Sequence, residues 1–180
     1  MKQNSILIWK GFKWSRLLTF NIHHWTYAII QLCTLSRYCH TAVLRKYHSK
    51  WYLYQSVFKQ GIHIIEINKG WIFEKILSNE IDVFECKTKL NKKKDVLLQS
   101  KIREMYQTRE TIKYFGKYDF VNLLNQLPYQ LFNVSFVDNK LPVKSICSQL
   151  THSCFFPHED CEKVSPAKIA TNDDRYTRVQ

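Results

Sequence analysis

Apolar and polar positions divide the chain into short periodic runs separated by turn-forming residues. Leu18, Ile22, Trp25, Ile29 and Leu32 recur at steps of four and three and give one apolar stripe, as an amphipathic helix requires. Residues 41–60 also read as a helix. Val43, Leu44, Trp51, Leu53, Tyr54, Val57 and Phe58 supply its apolar surface, and Gly61 stands just past its expected end. Ile62–Ile67 and Trp71–Ile76 flank Asn68-Lys69-Gly70 and predict a β-hairpin, with residues 81–88 as a third strand. From Asn91 the period lengthens. Val96, Ile102, Met105, Tyr106, Ile112 and Phe115 suit a helix that stops at Gly116, and residues 119–127 suit a shorter one ended by Pro128. Residues 131–137 and 141–146 predict a last hairpin around Asp138-Asn139-Lys140. Beyond Cys161 the pattern is polar and aperiodic, which suggests a loose tail.

The expectation is an α+β protein, with short antiparallel β-hairpins packed on two or three helices, a non-globular N-terminal segment and a loose C-terminal tail. Its parts are a basic presequence or membrane-associated segment at 1–40, a small domain at 41–147 and a weakly ordered tail at 148–180. A chain of 180 residues with 45% hydrophobic positions is long and apolar enough for one core.

Charge sharpens this division. No Asp or Glu occurs before Glu66, so nine basic residues contribute +9 of the net +12 within the first 65 positions. An acid-free, amphipathic N-terminus is the pattern of mitochondrial presequences. Arg37-Tyr38-Cys39 and Arg45-Lys46-Tyr47-His48-Ser49 resemble the sites that the matrix peptidase cuts. Lysine outnumbers arginine there, and Trp9, Trp14 and Trp25 are bulky for such a signal. Residues 17–35 carry no formal charge over nineteen positions, about a membrane-spanning length. Asn21, His23, His24 and Gln31 make that span costly.

Candidate chemistry is sparse. Arg45, Lys46 and Lys50 interleave with Trp51 and Tyr54, and Lys92-Lys93-Lys94 forms a second basic point. Cations that neutralise phosphate beside rings that stack on bases suit RNA or an RNA-protein assembly. The same pattern also fits a helix with a buried aromatic face and a solvated basic one. Cys147, Cys154, His158 and Cys161, with His152 nearby, are a thiolate-imidazole set of the kind zinc takes, although the spacing matches no standard finger. His63, inside an apolar run, reads as a hydrogen-bonded structural histidine. There is no Gly-x-Ser-x-Gly elbow, phosphate-binding glycine loop or His-Glu-x-x-His pair, and Cys39-His40 adjacency does not orient a thiol toward an imidazole.

The sequence therefore points to a small basic, non-enzymatic protein, imported into mitochondria and binding RNA or a ribonucleoprotein, with no small-molecule substrate indicated. The alternatives are a membrane-associated interaction protein anchored by residues 17–35, or a translated reading frame without a settled function, whose Ile, Lys, Asn, Phe and Tyr reflect A/T-rich codons.

Overall fold

The computed structural model describes residues 4–11, 28–32, 36–58, 60–119, 123–124, 132, 144–159, 164–172 and 174–179. Its centre is one twisted sheet of strands β1 (Ile6–Lys10), β2 (Tyr38–Tyr47), β3 (Lys50–Val57), β4 (Gly61–Ile67), β5 (Ile81–Cys86), β6 (Ile112–Tyr118), β7 (Lys144–Ser145) and β8 (Tyr176–Arg178). The spatial order is β7-β6-β4-β3-β2-β1-β5-β8. Seven strands are antiparallel to their neighbours, and the two-residue β7 joins β6 in parallel. Among the described residues the three longest helices, α1 (Lys69–Leu77), α2 (Lys92–Thr108) and α3 (Cys147–Phe155), cover it, and a π-helical turn spans Lys168–Asn172.

The expected arrangement of hairpins packed on helices is thus overturned, because the sheet is the body of the protein and the helices are a minor part. The described residues of 41–60 are not a helix but include most of the β2–β3 hairpin, closed by His48 at φ +52° and Ser49. Both faces of β2 are covered, so its first eight positions are all buried and apolar residues fall at helical as well as alternating spacing. Residues 71–76 are not a strand. The Asn68 side chain accepts the Gly70 N–H at 2.8 Å, so Asn-Lys-Gly caps α1 and does not turn a hairpin. The long helix ends at Arg109 in the left-handed region, and Ile112 to Phe115 belong to β6.

The chain ends also depart from expectation. Ile6, Leu7 and Ile8 of β1 are fully buried between β2 and β5, so cleavage after Arg37 or Arg45 would remove a central strand. Beyond Cys161, Val164, Ile169 and Tyr176 enter the main core and β8 extends the sheet. The expected hairpin at 131–146 and helix at 119–127 lie largely outside the described residues, as does most of 17–35. Among the described residues no helix is long and apolar enough to cross a membrane.

Alternation along the strands builds the two larger cores. Leu7, Ala42, Leu44, Trp51, Leu53 and Val83 pack with Ile72 of α1 on one face. Ile6, Ile8, Val43, Tyr52, Tyr54, Ile64 and Phe84 pack with Leu98, Ile102 and Met105 of α2 and with Leu150 and Phe155 of α3 on the other.

Candidate functional site

On the face covered by α1, five adjacent strands place a row of polar and aromatic side chains where the rest of that face is mostly aliphatic. Register fixes the row. Trp9 of β1 lies opposite His40 of β2, Gln55 of β3 opposite His63 of β4, and His63 opposite Tyr114 of β6. Gln55 itself faces Ala42, one step along the same face from His40.

The row is joined by directed hydrogen bonds. His63 Nδ1–H donates to the Gly61 carbonyl at 3.0 Å, so its Nε2 carries the lone pair and accepts the Gln55 Nε2–H at 3.2 Å. Gln55 Oε1 then accepts from His40 Nε2–H at 2.9 Å, which leaves Nδ1 of His40 as an acceptor nitrogen. Both imidazoles are held neutral. Burial pushes His40 down to about 4, with the Gln55 bond opposing and His63 adding to the fall. Burial also lowers His63, against the bond to Gly61. His63 is the hydrogen-bonded structural histidine its position suggested.

A cavity of about 550 Å³ opens on this row, within the range of ligand pockets. His40, Leu53 and Gln55 line it, together with Ile65 and Ile67 of β4 and Trp71 of α1. The Trp9 ring lies 4.9 Å from the His40 ring and 6.4 Å from that of Trp71, measured between centroids. Glu66 at its edge is held by Lys50 at 2.9 Å, so it does not stand alone as a charge. Two cations lie on the same side of the sheet. Lys69 follows Asn68 at the rim, and Lys46 lies over Trp51, the cross-strand partner of Ile67. The resulting chemistry is a pocket with indole rings at its side, the Gln55 amide and the neutral His40 imidazole in its lining, and cations beside it.

The residues singled out from sequence are dispersed. Arg45 is fully buried, pairing with Asp95 at 2.5 Å and hydrogen-bonding Asn4. Trp51 is buried in the α1-side core, and Tyr54 is buried on the opposite face, stacked on Phe115 at 5.5 Å. Lys46 and Lys50 are exposed at the hairpin end, Lys92 and Lys93 are exposed in the first turn of α2, and Lys94 is partly buried there. Cys147 and Cys154 stand at the two ends of α3, Cys154 donating to the Leu150 carbonyl, and His158 follows in an exposed turn. Cys161 lies outside the described residues. Among the described residues no group of three or more His, Cys, Asp or Glu side chains is placed to hold a metal.

The thiols are also not poised for attack. Burial raises Cys39 to about 12 and Cys147 to about 11. Cys39 donates to the Trp9 carbonyl, whereas His40 stands in the row on the α1 side, hydrogen-bonded to Gln55. Sequence reasoning missed Trp9, His40, Gln55 and Trp71 as a group. The available signal was a polar residue at an inward position of each of three otherwise apolar strands, which becomes visible only with the register known.

No protein family matches the chain, and no curated protein does. Among solved structures it is similar to the metalloprotein yiiX from Escherichia coli O157:H7 (DUF1105), at 15% identity and a TM-score of 0.44, over 99% of this chain and 96% of that one. At that level nothing about binding or chemistry passes to this chain.

Proposed function

We propose that the protein is a non-catalytic RNA-binding protein, and that the pocket lined by Trp9 and Trp71 receives an unstacked base of a single strand. The observation that carries this reading is the pocket itself, lined by the Trp9 and Trp71 indoles and by neutral His40 and Gln55, with His63 behind Gln55 holding its amide. A nucleobase is flat and uncharged, so it gains stacking and apolar contact there without meeting an unpaired charge. Nδ1 of His40 accepts a hydrogen bond from an amino or ring N–H group. Lys46 and Lys69 supply the phosphate contacts, in keeping with a chain of net charge +12. Raised thiols and lowered imidazoles support binding over nucleophilic chemistry. Import with removal of the N-terminus is left out of the proposal, because it would take β1 from the centre of the sheet.

The test is equilibrium binding of short single-stranded oligoribonucleotides at two salt concentrations, beside an abasic oligomer of the same length. Base-containing strands should bind more tightly than abasic ones, and Trp71→Ala should weaken them by about 1–3 kcal/mol. Equal affinity for abasic strands, or an unaffected Trp71→Ala variant, would sink the proposal.

A further inference from the structure

A second surface lies on the other side of the sheet, at the start of α2, and plays no part in the cleft. Lys92, Lys93 and Lys94 occupy the first turn of this helix, with Asn91 as its cap. Among the described residues no acid pairs with the three lysines. Their charges repel one another and oppose the helix dipole, so the arrangement costs helix stability unless an anion compensates. The cap amides are not the attraction, since Asn91 Oδ1 already accepts the Lys93 and Lys94 N–H groups.

Beside the lysines an apolar groove of about 770 Å³ is lined by Val96, Leu97 and Pro157, with His158 at its edge. Val96 is 60% exposed and Leu97 40%. Lys93, Val96 and Leu97 are spaced i, i+3, i+4, so a cation and two aliphatic side chains share one side of the helix. RNA would find phosphate partners here, but the one ring in the lining is the His158 imidazole at the edge, and Val96 and Leu97 would stay unused. An anionic bilayer offers both parts, headgroup charge for the ammonium groups and acyl chain for Val96 and Leu97.

We infer that this turn of α2 is a docking surface for an anionic phospholipid membrane, with the three lysines at the headgroups and Val96 and Leu97 inserted shallowly beneath them. The full chain should sediment with vesicles of phosphatidylcholine containing phosphatidylserine, and not with phosphatidylcholine alone. Lys92→Glu/Lys93→Glu/Lys94→Glu should weaken that partition roughly 100-fold, at about fivefold per lysine. Because Glu suits a helix N-terminus better than Lys, the variant should melt no lower than the parent, which separates lost docking from lost folding. Val96→Ser/Leu97→Ser should weaken it severalfold, while Trp71→Ala should leave it unchanged. Equal binding to neutral vesicles would overturn the inference. So would charge-dependent binding that ignores Val96→Ser/Leu97→Ser, which would mark a purely phosphate-binding patch such as RNA uses.

Discussion

His40 is buried, neutral and committed through Nε2 to Gln55, so protonating it means charging a group that burial has pushed down to about 4. In the unfolded chain the same group titrates near its ordinary value of about 6.5. Between these values the unfolded state binds the extra proton, so stability is full above pH 6.5 and falls as pH drops toward 4. The loss from His40 alone amounts to about 3 kcal/mol, and His63, shifted in the same direction, adds to it. Chemical denaturation from neutral to acid pH should show this slope, and His40→Asn should flatten it; an unchanged slope in that variant would mean that other groups control it. Gly61 is the second sensitive residue. Its φ is +74°, and an added Cβ would stand 2.1 Å from the Gly116 carbonyl oxygen. Gly61→Ala should therefore cost about 2–4 kcal/mol in urea unfolding, whereas an alanine at Gly70 meets only the Asn68 side chain and should cost far less.

Among the elements, β1 and β8 bear the most on the organisation of the chain. Asp82 of β5, buried on the face opposite the cleft, pairs with Lys10 of β1 at 2.6 Å and with Arg178 of β8 at 2.8 Å. The Tyr38 hydroxyl also donates to it, at 3.3 Å. One carboxylate thus ties both flanking strands to β5. Because Lys10 and Arg178 keep some solvent, Asp82→Ala should cost about 2 kcal/mol, below the full value for a buried pair. A melt no lower than that of the parent would show that the clamp adds nothing. Local patterns made β4, β5 and most of α2 legible, since Ile62–Ile67, residues 81–88 and the run from Asn91 each carry one period. They failed at 41–60 and 71–76. In β2 burial on both faces erased the alternation, and at Asn68 a helix cap and a turn call for the same residue types. The ends were illegible for another reason. Ile6–Ile8 and Tyr176 gain their places only by pairing with strands far along the chain.

At the scale of the molecule, the sheet separates two kinds of surface. Its α1 side holds the Trp9–His40–Gln55–Trp71 cleft, and its α2 side carries the lysine turn beside exposed Val96 and Leu97. The basicity was legible from composition, but its distribution was not. Arg45 spends its charge on Asp95 inside the protein, and the rings of Trp51 and Tyr54 are taken up by opposite cores. The cleft draws on β1, β2, β3, β4 and α1, which no local motif could have joined. Its occupancy by a base is the central claim, and the most direct test is a nucleotide titration of the isotope-labelled full chain followed by NMR. Base capture should move the indole N–H signals of Trp9 and Trp71 and the side-chain amide of Gln55, saturably and together. Shifts confined to lysines, with those indole and amide signals unmoved, would contradict it.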